Sequence, residues 1–436
     1  MDRTRKLALD ALLRMETQDG YSNIVLDEQL KSSDLAAGDK AFVAALFYGV
    51  LEKKLTLDAL LARVAKPKTR LTPFVRTALR CAVYQILYMD KVPEHAAVHE
   101  TVELVKRSRE SRAAGLCNLL LRRICEKKDE LCCFGDDDAG ISLKYSVPEW
   151  LVRNISADYG RENALRFFAA AEGTPPTYIR VNTLKTTADQ LQKALEAQGI
   201  AAERTLLDTA LRLERPGSIE SNPLFADGLF FTEDLASQLC AEVLDAKAGE
   251  RVLDLCAAPG GKSFATALKM HNRGELVACD LYESRVGLIR SGAQRLGLEI
   301  ICACVNDGSA HVPDGQFDRV LCDVPCSGFG IMRRKPDVKY KDPDTLKTLV
   351  PLQSAILENG ASAVKTGGRL VYSTCTLRRS ENQRVCEKFL KKHTEFKQIP
   401  IAIDGVSSVT DDGYLTLMTG QGDTDGFFVA LFEKIG

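Results

Sequence analysis

No stretch of the 436 residues stays apolar for the length of a bilayer span, so neither a membrane-crossing helix nor a membrane partner is expected. The opening MDRTRKLALD has no apolar signal region followed by small residues, which predicts a cytoplasmic protein. Metal-binding spacing is missing too. Cys132 and Cys133 are adjacent, Cys302 and Cys304 are one residue apart, and none of the 14 cysteines forms a CxxC pair, so no metal is expected. A reducing compartment would leave these thiols free of disulfides. Cys81, Cys117, Cys125, Cys240 and Cys279 sit in apolar periodic segments and are expected as small core residues. Strong net charge is absent as well, at −1 overall, but the balance is uneven. Residues 1–135 carry 23 Lys and Arg against 18 Asp and Glu, and the remainder 35 against 41. A basic N-terminal part suits a polyanionic partner.

What is present describes a soluble globular chain: 45% hydrophobic and 27% charged residues supply an ample core, over a length that calls for two or three domains. Residues 1–135 read as all helix. In FVRTALRCAVYQILYM the pairs Phe74/Val75, Ala78/Leu79, Ala82/Val83 and Ile86/Leu87 mark one buried face, and Pro73 stands where a helix start tolerates it. GDDDAG, residues 135–140, breaks the periodicity and predicts a linker. A small α/β joining segment over 141–225 is expected next, with TYIRVNT as a strand and TADQLQKALEAQGI as a helix ending at Gly199. From 226 to 436, RVLDLCAA, ELVACD, IICACVN, FDRVLCDVP and RLVYSTC alternate with helical segments. That alternation predicts a doubly wound, mostly parallel sheet, with GYLTLMT and GFFVALFE as an antiparallel edge.

The first strand of this sheet runs into DLCAAPGGKS, a glycine turn that lets backbone approach a ligand closely. Gly261-Lys262-Ser263 imitates the end of a phosphate-binding loop, but Cys256 stands where that loop needs glycine, and Pro259 removes a donor. The dinucleotide spacing GxGxxG is absent too. Asp280 ends the next strand, placed for ribose hydroxyls, and Asp307 follows a third, placed for an adenine amino group. A strand-end Asp is often only a cap. Acids after three successive strands, with no phosphate cradle, fit S-adenosylmethionine.

DLCAAPGGK, DVPCSG with GIMRRKPDVKY, STCTLRRSEN and the upstream GLFFTEDLASQL together resemble the RNA cytosine-C5 methyltransferases of the Sun/NOP2 type. VPEHAAVHETVELVK and LLLRRI resemble the NusB RNA-binding helical domain. The resemblance implies a class I, Rossmann-like methyltransferase fold behind an all-helical RNA-binding domain, acting as a monomer. It implies S-adenosylmethionine held by Cys256, Ala257, Ala258, Pro259, Gly260, Gly261, Lys262, Asp280, Arg285, Asp307 and Asp323. Its substrate would be 16S ribosomal RNA in a single-stranded or loop region, not DNA. Two other readings stay open: a NusB-like transcription module with an inactive methyltransferase fold, and a DNA cytosine-C5 methyltransferase.

Cytosine C5 is a poor nucleophile until a thiolate adds to C6 and breaks the aromaticity, which is covalent catalysis. Cys326 and Cys375 each stand just past a strand, so one would attack and the other assist departure. Local pattern leaves the order open, because a Pro-Cys at Cys326 is also where DNA cytosine methyltransferases carry their nucleophile. The resemblance implies attack by Cys375 and release by Cys326. Asp323 is expected to hold the base at N3 and the amino group, and Lys262 to lie near the methionine carboxylate or the base. The basic residues of IMRRKPDVKYK and LRRSENQR are expected along flanking phosphates, with Lys66, Lys68, Arg70, Lys106, Arg107, Arg109, Arg122 and Arg123 adding to them.

Overall fold

The computed structural model describes residues 2–17 and 22–436. Two compact units emerge: Met1–Glu172 with Lys335–Tyr340, and Gly173–Arg334 with Lys341–Gly436. Among the described residues, no helix is long and apolar enough to cross a membrane.

The first unit is helical. The helix Pro73–Tyr88 starts as its sequence requires, with Pro73 in the first turn and the Thr72 side chain accepting from Val75 N. Val75, Ala78, Leu79, Ala82, Val83 and Ile86 are buried in the common core, with Phe74 and Leu87 packed at its margin. Arg80 is buried on the same helix and forks onto Asp58 at 2.7 and 2.6 Å, with Glu16 as a second partner. GDDDAG leads into a further helix. Asp137 accepts from Gly140 N at 2.8 Å and caps another helix, Asp138–Tyr145. An Asp- and Gly-rich string serves a helix cap as well as it serves a linker.

The helices Glu149–Tyr159 and Arg161–Ala170 also belong to this unit, so the segment expected over 141–225 is divided. So is the segment after Cys326. Residues Lys335–Tyr340 are packed among the helices, where Lys339 is 1% exposed and donates to Glu52 O and Tyr145 O, both at 3.4 Å. Burial pushes its amine down to about 8. Tyr340 OH donates to Glu52 O at 3.1 Å.

The second unit holds two sheets. In the smaller one β1 (Thr177–Val181), β2 (Ala201–Arg204), β3 (Ala210–Glu214) and β4 (Phe230–Thr232) run antiparallel in the order β2-β3-β1-β4. The helix Ala188–Glu196 covers it, opened by a capping box between Thr187 and Gln190. The larger sheet contains β5 (Arg251–Asp254), β6 (Glu275–Asp280), β7 (Ile301–Val305), β8 (Phe317–Asp323) and β9 (Val364–Thr374), all parallel to one another. β10 (Phe396–Ile399), β11 (Leu415–Leu417) and β12 (Phe427–Lys434) complete it in the order β10-β12-β9-β8-β5-β6-β7, with β11 on β12. The C-terminal strand is not an edge. β12 lies antiparallel between β9 and β10, and every residue from Phe427 to Phe432 is buried, as a strand covered on both faces must be.

Alternate residues feed opposite faces. Val252, Leu276, Leu321, Val371 and Val429 pack with the helices Leu235–Leu244, Gly261–Lys269 and Glu283–Leu296. Leu253, Val277, Val320, Leu370 and Phe428 pack with Leu349–Ser362 and Gln383–Lys392. The winding direction reverses between β5 and β8, so the crevice for a ligand opens above their C-terminal ends, at Asp254 and Asp323. Cys81, Cys117, Cys240 and Cys279 are core residues as expected, and Cys125 is half-buried.

Candidate active site

β5 hands the chain to the helix Gly261–Lys269 through the glycine turn. Gly260 has φ +119°, and a Cβ there would lie 2.3 Å from the Phe264 ring, so a side chain is refused twice over. Asp254 is turned inward to accept from Ser263 Oγ at 2.6 Å. Beside the turn lies a cavity of about 280 Å³ lined by Cys256, Ala257, Ala258, Pro259, Gly261 and Lys262, with Glu233, Ser237, Asp254 and Asp323 around them. Gly260, Asp280, Arg285 and Asp307 of the expected donor set do not line it. Asp280 instead ends β6 with its carboxylate on Ala258 N (3.3 Å) and Arg285 Nε (3.1 Å), while Arg285 also donates to Ala258 O at 2.8 Å. That triangle braces the turn. Asp307 is exposed, and its Oδ1 accepts from Ser309 N and Oγ at 3.0 and 2.6 Å, which holds the carboxyl below its usual range.

The cavity is rich in acid. Burial pushes Asp254 up to about 7, with Asp323 adding to the rise and Ser263 and Lys262 opposing it. Burial pushes Glu233 to about 7 as well, against the pull of Lys262 and Arg180. Burial alone would lower the Lys262 amine, but Asp323, then Cys240 and Glu233, raise it above its ordinary value. Its ammonium donates to Asp323 Oδ2 at 2.7 Å and lies 5.2 Å from the Phe427 ring centre.

Register explains why two distant thiols meet. β8 and β9 pair in parallel with Asp323 opposite Ser373, so Cys326 and Cys375 leave the same sheet end on adjacent loops. Their sulfurs are 3.2 Å apart. The shared hydrogen bond with Cys375, then burial, then the charge of Cys375 raise the Cys326 thiol well above its ordinary value.

Family models match in three places: "16S rRNA methyltransferase RsmB/F" over residues 241–433, "NusB family" over 2–126, and the RsmF/B-like ferredoxin-like domain over 147–220. A probable ribosomal RNA small subunit methyltransferase B of Bacillus subtilis (strain 168) is 37% identical, with 99% of each chain covered. The chain belongs to the RsmB/F family of 16S rRNA methyltransferases. The ribosomal RNA small subunit methyltransferase B of Escherichia coli (strain K12) is 34% identical over 99% of this chain and 98% of its own. The crystal structure of PH0851 superposes with a TM-score of 0.84 at 27% identity, covering 100% of this chain and 99% of that one.

In this RsmB/F protein a set of polar side chains steadies the thiol loops. Ser373 Oγ donates to Asp323 Oδ1 at 2.7 Å, opposite Lys262. Glu381, fully buried, accepts from Ser327 N at 2.9 Å and Gln353 Nε2 at 3.0 Å, and pairs with Arg378 at 3.0 Å. Asn382 Nδ2 donates to Thr376 O at 2.8 Å, and Ser327 Oγ meets Thr376 Oγ1 at 2.7 Å. Glu381→Ala strands a backbone N–H and a guanidinium, so a loss of about 3 kcal/mol in unfolding free energy is expected by denaturant titration. A change below about 1 kcal/mol would show that water replaces the carboxylate.

Three cations of the run after Cys326, Arg333, Arg334 and Lys339, are committed within the chain. Arg333 is buried against Asp423 (3.2 Å), and Arg334 is bound to Asp425 and to Asp234 at 3.1 Å. Lys339 is buried in the helical unit, and Arg378 is committed to Glu381. A buried guanidinium needs acids around it, and these have found theirs. In the NusB-like helices, by contrast, Lys66, Lys68, Arg70, Lys106, Arg107, Arg109 and Arg122 are exposed, while Arg123 donates to Val64 O at 2.8 Å.

Proposed function

We propose that the protein transfers a methyl group from S-adenosylmethionine to C5 of a cytosine in 16S ribosomal RNA, through a covalent bond between Cys375 and C6. One observation carries the reading: two thiols 3.2 Å apart at the ends of adjacent parallel strands, next to the Lys262–Asp323 pair. The acid-lined cavity fits a cationic nucleoside better than a polyphosphate, and Gly260 leaves no bulk against the turn. Cys256 to Lys262, Asp280, Arg285, Asp307 and Asp323 would hold the donor, with Asp280 at the ribose and Asp307 at the adenine. When bound, it supplies an electrophilic methyl on sulfonium.

The chain's own residues then do the following. Cys375, as thiolate, adds to C6 and makes C5 enamine-like. Asp323 holds the ring at N3 and the amino group, and Lys262 balances the charge that moves there. Cys326 keeps its proton while Cys375 is free. Once Cys375 is tied up as a thioether, its raising influence is gone and Cys326 ionises more readily. It is then suited to take the C5 proton as the C6–S bond breaks, which releases the base and restores the Cys375 thiolate.

The base must leave its stack to reach the thiols, which favours single-stranded or loop RNA, bound by a monomer. Transfer of tritiated methyl to ribosomal RNA but not to duplex DNA is the expected result. Label on DNA, or on neither, would reject it.

The exposed lysines and arginines of the NusB-like helices supply the electrostatic part of RNA binding. The triple variant Lys66→Ala, Lys68→Ala, Arg70→Ala should reduce the slope of log K against log salt by about 2 to 3, at roughly 0.7 to 0.9 per lost phosphate contact. Donor affinity should not change. Filter binding across a salt series reads both, and an unaltered slope would place the RNA elsewhere.

A further inference from the structure

Glu233 follows β4 and faces the cavity at the start of the helix Gly261–Lys269, yet the chemistry above gives it no task. It is only 9% exposed, and its Oε2 is buried with no hydrogen-bond partner. Native folds leave few such atoms, and each asks what satisfies it. Gly261 makes the room: a Cβ there would lie 2.8 Å from Glu233 Oε1. Of the two nearby cations, Lys262 is bound to Asp323 at 2.7 Å and Arg180 gives its Nη2 to Glu242 at 2.8 Å, while its Nε and Nη1 are buried without partners and still draw on Glu233. Around the cavity three carboxyl groups, Asp254, Glu233 and Asp323, face the Lys262 ammonium and the Arg295 guanidinium.

We infer that the Glu233 carboxylate pairs with the α-ammonium of the donor's methionine part, and so fixes which end of that amino acid meets the helix Gly261–Lys269. The inference rests on the donor reading above and adds the partner of one charged group. An unpartnered acid in an acid-rich cavity calls for a cation, and the donor's primary ammonium has three N–H groups to give. Its positive charge would also draw the Glu233 carboxyl back down, against the burial that raises it.

Titration calorimetry on the full chain separates this pairing from a shaping role, with S-adenosylhomocysteine and its deaminated analogue, in which hydrogen replaces the amine. Glu233→Gln should weaken S-adenosylhomocysteine about 10- to 100-fold, as loss of a charged hydrogen bond does, and leave the deaminated analogue within about twofold. Its unfolding temperature without ligand should match the wild type within a few degrees. Equal weakening of both ligands would mean that Glu233 shapes the turn, and no weakening would place the ammonium elsewhere. Either overturns the pairing. A wild-type protein that binds neither ligand would overturn the donor reading itself, a result distinct from both.

Discussion

Cys326→Ala should accumulate an enzyme–RNA conjugate that survives denaturing electrophoresis, whereas Cys375→Ala should form none and fall to background turnover. The asymmetry follows from order: loss of the nucleophile prevents the intermediate, and loss of the releasing group traps it. The geometry sharpens the expectation. With 3.2 Å between the sulfurs, either thiol reaches the same ring carbons, so distance does not assign the roles. The conjugate formed by each variant does. Removing Cys326 leaves Cys375 free to ionise and attack, with nothing beside it to take the C5 proton. Conjugate from Cys375→Ala but not from Cys326→Ala would reverse the assignment. The double variant should bind donor normally and never cross-link, which separates chemistry from a damaged fold.

Lys262→Met should lower kcat by about 10²- to 10³-fold, the scale seen when one preorganised electrostatic group is lost. It should also change how stability depends on pH. Glu233 and Asp254 ionise near 7 in the fold, well above their ordinary values, because burial outweighs Lys262. The folded state then holds more protons than the unfolded chain, so these groups cost stability as pH rises from about 4 through 7. Without the lysine both carboxyl groups shift further up and the cost grows. The deficit of Lys262→Met against wild type should thus be about 2 kcal/mol larger at pH 8 than at pH 5, measured by urea unfolding without ligand. A deficit independent of pH would show that Lys262 acts on Asp323 alone.

How much of this was legible depended on whether the cause was local. The glycine turn, the strand-end acids and both thiols follow from strand length and residue type, and β5 to β9 place them at one sheet end. Cys81 and Cys117 announced their burial through helical period. Non-local causes left no trace. GFFVALFE reads the same at an edge or an interior position, and only the packing of β10 and β9 against both its sides made β12 central. Arg333 and Arg334 read as phosphate ligands because their acids, Asp423 and Asp425, lie about ninety residues away. Glu233 stood inside a quoted motif, but its unpartnered oxygen is a property of three-dimensional neighbours.

The central claim is the position of the methyl group, and nucleoside analysis reads it directly. Unmodified 16S ribosomal RNA is incubated with the protein and S-adenosylmethionine labelled in the methyl group, digested completely, and the nucleosides are separated by chromatography with mass detection. The account predicts label in 5-methylcytidine alone, absent when Cys375→Ala replaces the wild type. Label in a 2′-O-methyl nucleoside, in N4-methylcytidine, or in 5-methylcytidine that persists with Cys375→Ala would contradict it.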